Sequence, residues 1–415
     1  MTRRDASAHL NARALSEGRA ALERYRAMAA RHRMERLTPV LRPYVLTASQ
    51  LAALEAATVA FGRAMEQALA AWAKDGAFAA DVLLPPRFDA RAKADVLAGR
   101  AFGHVRFDFL FEPDGGLGLL EVQAGDPSGM GIQHALAQHF APDAAEVHGT
   151  LDSVAASLRR ALAPTPAEAG LVVFAIQRGA TLQFDHALVA AVFRDAGVDA
   201  VIVDPDELVF DGAALTWQGR RVTLVVRDSL EDLLEPKRVA GSRALLEAWL
   251  ADAVVVHNPA GSIVADHKVL LALLGTQELP EAARRALLPV EKLDAASRPG
   301  VLARRASLVL KPSDGFGGFG VVVGPAVDDA AWTAAVDAAL ASGRPHVVQA
   351  FGAHPSEDFP VPDGAGGVRL ERRNVVISTW LHSGRFGGVF ARVHAGPVVN
   401  VHQGGGLLPV CVVNG

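Results

Sequence analysis

Cysteine is almost absent from this 415-residue chain: Cys411 stands alone, so neither an internal disulfide nor a cysteine-based zinc site can form. We read it as a buried structural thiol. No run of 18 apolar residues occurs, which argues against a transmembrane helix and against a membrane partner. The amino terminus, Met1-Thr2-Arg3-Arg4-Asp5, has no apolar segment behind it, so a secretory leader is not expected and a cytoplasmic location is. A formal charge of −4 and scattered arginines supply no basic field for nucleic acid. Lysine is scarce too: it occurs only at 74, 93, 237, 268, 292 and 311, and every other basic residue among the 41 is arginine. A chain that accepts arginine for surface charge draws attention to a lysine inside a motif, because a compact ammonium suits phosphate.

What is present is a large apolar fraction, 50%, enough for a sizeable core. Residues 5–75 read as helical, with Ser49 as a cap for the later part. Apolar runs at 104–111 and 117–122 flank Pro113-Asp114-Gly115-Gly116 and predict a hairpin. A helix is expected over 131–163. From 170 onward, strand-like runs at 171–176, 198–203, 222–226 and 254–256 alternate with helical stretches at 186–196 and 229–235. That alternation predicts a mostly parallel α/β sheet. Helices are expected at 268–274 and 332–340. Strands are expected at 346–350, 374–381, 388–393 and 398–401, with a loop over 352–370. No internal repeat is visible.

The densest motif is Leu308-Val309-Leu310-Lys311-Pro312-Ser313-Asp314-Gly315-Phe316-Gly317-Gly318-Phe319-Gly320, followed by Val321-Val322-Val323. It reads as strand, glycine-rich turn, strand. A lysine at a strand end beside side-chain-free backbone can hold polyphosphate. It is no Walker loop, since the lysine precedes the glycines, and it opens no helix as the dinucleotide fingerprint does. A plain hairpin is the alternative.

Four further groups could carry chemistry. Arg106 and Asp108 share one strand face, as do Glu121 and Gln123. A hairpin would set these pairs side by side, giving the oxygen ligands that Mg²⁺ takes together with phosphate and water. A solvated hairpin face is the alternative. Gly125-Asp126-Pro127-Ser128-Gly129 could offer N–H groups to an anion, or be an ordinary turn with Ser128 as helix cap. Asn258-Pro259 leads through Asp266-His267 to Lys268, a second phosphate candidate or a surface lysine. Arg392, with Asn400 and Gln403-Gly404-Gly405-Gly406 beyond it, could hold a phosphate or carboxylate bidentately, or simply end a strand.

In this order the motifs resemble the circularly permuted ATP-grasp proteins, the group that includes glutathionylspermidine synthase-type ligases. The resembling residues are Arg106-x-Asp108, Leu120-Glu121-Val122-Gln123, Asn258-Pro259 leading to Lys268, Leu310 to Gly320, His346-Val347-Val348-Gln349, and Arg392 to Gly406. They span roughly 80–410, with the acidic motif ahead of the lysines.

The resemblance implies an α/β (α+β) ATP-grasp fold, permuted, with ATP held between two lobes. It suggests a helical segment at 1–80, an acidic metal-binding part at 81–165, a pre-ATP-grasp-like domain at 166–260 and a nucleotide-clamping region at 261–415. Lys268 and Lys311 would match the nucleotide-binding lysines, with Ser313, Gly317, Gly318 and Gln349 beside them. Asp108, Glu121 and Gln123 would match the Mg²⁺ ligands, Gln123 standing where the family usually has asparagine. Arg106 would match the arginine that steadies the transferring phosphoryl group or the acyl phosphate, and Arg392 is the second catalytic candidate. The implied activity is carboxylate–amine ligation through an acyl phosphate, on a small-molecule or peptide acid and an amine. Nucleotide binding without ligation, or phosphoryl transfer to another acceptor, are the alternatives.

Overall fold

The computed structural model describes the chain except residues 77–81, 83, 85, 126, 152–169, 179–182, 196, 228–239, 260, 316, 402–403 and 415. The helix expected at 229–235, residues 152–163 of that expected at 131–163, and Asp126, Phe316 and Gln403 lie outside the described residues; the second of these helices already stops at Glu146, ahead of strand Thr150–Leu151.

The amino-terminal helical region divides in three. Helices Arg3–Glu17 and Arg19–Arg31 meet at Gly18, and a strand, Tyr44–Thr47, follows Pro39 and Pro43. Proline cannot supply the helical N–H, and Tyr-Val-Leu-Thr prefers extended backbone. Helix Ala48–Asp75 then starts on Thr47, whose side chain accepts from the N–H of Gln50 while Gln50 answers to the backbone of Thr47. Thr47 is the cap because it keeps extended backbone; Ser49 already lies in the first turn. The helix buries Leu54, Thr58, Phe61, Met65, Leu69 and Trp72, a stripe at helical spacing. It ends at Gly76, φ 68°, a left-handed position that favours glycine.

That helix covers one face of the main sheet. The sheet runs Tyr44–Thr47, Gly406–Val413, Arg385–His394, Val368–His382, His104–Phe111, Leu117–Gln123, with Ser356–Pro362 beside Val368–His382. Phe61 packs against Phe107 and Phe109, each ring 6.2 Å away. Alternation along the strand then turns Arg106 and Asp108 to the other face. The carboxyl-terminal strand Gly406–Val413 is interior: it pairs antiparallel with Arg385–His394 and parallel with Tyr44–Thr47, Tyr44 opposite Val410. Cys411 is buried there.

Two expectations change here. Residues 352–370 contain strand Ser356–Pro362, paired with Val368–His382 across the 363–367 turn. Residues 398–401 form no strand; Val398, Val399 and Asn400 line the cleft described below.

A second sheet holds four parallel strands, Ala200–Val203, Leu171–Ala175, Arg220–Arg227 and Val255–His257, with a short antiparallel hairpin at one edge. A third, antiparallel sheet is small: Val290–Lys292, His346–Ala350, Leu308–Pro312, Val322–Val323. It packs under helix Asp329–Ala341 through Trp332 and Val336. The expected division at 165 and 261 cuts across the main sheet, whose strands come from both sides of it. No described helix is long and apolar enough to cross a membrane.

Candidate active site

The hairpin of the main sheet pairs Arg106 with Gln123 and Asp108 with Glu121. Just beyond, Phe109 pairs with Leu119, so Leu120 is an extra residue in its strand. Such a bulge frees backbone groups from the ladder. The freed carbonyls meet the small sheet: Lys311 Nζ donates to Leu120 O at 2.9 Å, and Gln349 Nε2 donates to Leu119 O at 2.8 Å. Lys311 also donates to Gln349 Oε1 at 2.5 Å. The two sheets thus meet along one cleft, lined from both of them.

One wall of the cleft carries cations. Lys268 Nζ lies 3.0 Å from Glu121 Oε1 and donates to Gly315 O at 2.7 Å. Its backbone is fixed by Ser313, which accepts the Lys268 N–H at its carbonyl and the Val269 N–H at its hydroxyl. Burial pushes Lys311 down to about 8, against the pull of Glu121. Burial opposes ionisation of Glu121 as well, but Lys268 and Lys311 outweigh it and hold that carboxyl below its ordinary range. Beyond the lysines the wall is apolar, through Val309, Val321, Val323 and Phe351. Gly317, Gly318 and Gly320 have φ of 64°, 74° and 73°, and a Cβ on Gly320 would stand 2.8 Å from Pro312 Cγ. The loop therefore needs glycine there, and it presents Phe319 at its tip, 64% exposed.

The other wall is an ion-paired cluster. Arg106 Nε and the Ser378 hydroxyl donate to Asp108 Oδ1 at 3.0 and 2.7 Å. Arg392 Nη2 reaches Oδ2 at 2.6 Å, and Arg106 Nη2 reaches it at 3.3 Å. Burial opposes charge on Asp108, yet the two arginines prevail and hold it below the usual carboxylate range. Arg106 Nη1 also donates to Ser128 O at 3.0 Å. The approach to Ser128 is held by two side chains from further along the chain, Asn258 and Asp266. Asn258, φ 55°, accepts from the N–H groups of Gly103 and His104 and donates to the carbonyls of His104 and Ala124. Asp266 accepts from Ala124 and Gly125, and burial pushes it up to about 6. Ser128 caps nothing: helix Met130–Glu146 takes its cap from Asp185, which accepts from Gly129 and Ile132 at 2.8 Å.

Residues 43–384 match the family model described as circularly permuted ATP-grasp type 2. The chain belongs to that family. Among relatives of this circularly permuted ATP-grasp protein, a Frankia alni protein provisionally named glutamate–cysteine ligase 2-3 is 30% identical over 71% of the chain and 37% of its own length. A Mycobacterium leprae protein of unassigned function is 28% identical over 88% of the chain and 70% of its own length. The chain thus spans little more than a third of the first of these relatives. The fold also matches a glutathione synthetase-like effector from Globodera pallida, with TM-score 0.62, 12% identity, and 91% and 90% of the two chains covered.

The structure brings Asp108, Glu121, Lys268, Lys311, Gly318, Gln349 and Arg392 to one cleft. Arg106 stands behind Asp108. Ser313, Gly317 and Gln123 are outside the lining, and Ser313 is fully buried. Among the described residues no group of three or more His, Cys, Asp or Glu is placed to hold a metal. Glu121 is the carboxylate best placed for Mg²⁺, since both Asp108 oxygens already accept two bonds each. An ion bound mainly by phosphate oxygens, water and Glu121 fits this donor set; Asp108 could join only by giving up a partner. Two participants escaped sequence reasoning. Ser378 had a signal, a polar residue within the apolar run 375–381; the Leu120 bulge had none.

Proposed function

We propose that the protein is an ATP-dependent ligase that joins a carboxylate to an amine through an acyl phosphate. The observation that carries this reading is the convergence of Lys268 and Lys311 on Glu121 beside an apolar wall, facing Arg392 on Asp108. The apolar wall suits a purine base, and the lysines suit its phosphates. The carboxylate oxygen of the acid attacks the γ-phosphorus, the β–γ bridging bond breaks, and ADP leaves. The amine nitrogen then attacks the acyl carbon and inorganic phosphate departs, the nitrogen's proton passing to phosphate or solvent. Arg392 would meet the charge that develops on the transferring group, with Arg106 holding Asp108 from behind. Mg²⁺ would neutralise phosphate oxygens. No side-chain nucleophile is needed, in keeping with the buried Cys411.

The ligase named among the relatives favours a small amino acid or peptide as substrate. The test is ADP release with ATP and panels of amino acids and small peptides. Release that requires both an acid and an amine supports ligation. Release with an acid alone, giving a stable phosphorylated product, supports phosphoryl transfer instead. One observation favours a second reading, nucleotide binding without turnover: Asp108 is saturated and Gln123 lies off the cleft. ATP binding with no release for any pair would support that reading.

A further inference from the structure

One ionisable side chain of the cleft has no part in the proposed chemistry: His354. It lies between strand His346–Ala350 of the small sheet and strand Ser356–Pro362 of the main sheet, and its ring lines the cleft with Lys311 and Arg392. Its Nδ1 is buried and has no hydrogen-bond partner. Burial and the charges of Lys311 and Arg392 disfavour the imidazolium, the Val375 backbone favours it, and the balance brings the ring down to about 4. The carboxylates nearest the two cations are Glu121, held by Lys268, and Asp108, held by Arg106 and Arg392. A neutral imidazole with an unfilled bonding position between two cations is poorly served by the protein alone. An anion entering the cleft offsets the charges that oppose protonation, and a rotation of the ring would turn Nδ1 toward it.

We propose that His354 is a ligand-contacting residue of the nucleotide pocket, whose ring takes a phosphate oxygen and gains a proton from solvent as the nucleotide binds. The inference rests on the nucleotide reading above. It adds a third cation that exists only in the complex, one that an uncharged ligand of the same shape would not evoke.

ATP titrations by calorimetry at pH 7, in two buffers of different ionisation enthalpy, count the protons taken up. At that pH Lys311 is already mostly charged and adds little to the count. The wild-type protein should take up a large fraction of one proton. His354→Ala should bind ATP about tenfold more weakly, with most of the uptake gone. His354→Gln, which keeps a donor but cannot titrate, should recover part of the affinity and none of the uptake. A general packing defect would weaken both variants alike and would not separate affinity from proton count. Wild-type affinity and proton count in His354→Ala overturn the proposal while leaving the nucleotide reading intact. A wild-type protein that binds no ATP removes the nucleotide reading and this inference with it.

Discussion

The two walls of the cleft differ in how far their charges are already matched. On the main sheet, Asp108 holds two arginines and a hydroxyl, with both oxygens filled. On the small-sheet side, the lysines share one carboxylate, Glu121, and otherwise rest on the carbonyls of Gly315 and Leu120 and the Gln349 amide. A carbonyl carries no net charge, so an anion can replace it as partner with a gain in Coulomb energy. On the proposed reading the lysine wall would take the nucleotide, and the arginine wall would keep its geometry until charge develops beside it.

Removing an arginine should break this contrast most severely. Arg392→Ala leaves Asp108 buried with one ion pair fewer and takes from Ser378 the Nε donor at 3.2 Å. We expect about 3 kcal/mol of lost stability in denaturant titration, and about a thousandfold slower ADP release. ATP affinity should move only a few-fold. A variant as stable as the wild type would show that Asp108 does not depend on Arg392.

On the lysine wall the effect should be in binding and should follow pH. Burial brings Lys311 down to about 8 in the free protein, and a phosphate partner would raise it in the complex. Below pH 8 the lysine is already charged and affinity is level. Above it the free protein must gain a proton to bind, so affinity should fall by up to about tenfold per pH unit. Lys311→Met should lower ATP affinity about 100-fold at pH 7 and flatten the profile between pH 8 and 9. A wild-type profile that stays level across that interval would contradict the role given to Lys311.

The same contrast explains what the sequence made legible. The lysine loop and the Arg106/Asp108 hairpin are local patterns, each a strand with a turn beside it, and their spacing is enough to read them. The permuted ATP-grasp fold followed from the order of such patterns. What was not legible depends on partners distant in sequence. Gly406–Val413 is not among the expected strands, yet it pairs with Arg385–His394 and with Tyr44–Thr47. Gln349 could be placed near the nucleotide, but its grip on Lys311 and Leu119 depends on the bulge at Leu120, and no composition signal marks a one-residue slip. Ser49 and Thr47 are both good caps by type, and only backbone geometry chooses between them.

Gln123 gives the smallest expected effect and the finest test of the two walls. It pairs with Arg106 across the hairpin and shares a strand face with Glu121, but lies outside the cleft lining. If nucleotide capture belongs to the lysine wall, Gln123→Asn should leave ATP affinity without Mg²⁺ within about twofold, a change under 0.5 kcal/mol. With Mg²⁺ present, the shorter side chain draws its amide oxygen one methylene closer to the strand. Any gain in affinity then measures how far the Glu121 side of the hairpin takes part in holding the ion. A loss of metal-free affinity beyond tenfold would mean that the acidic hairpin helps to capture the nucleotide, and the division of labour between the walls would fail.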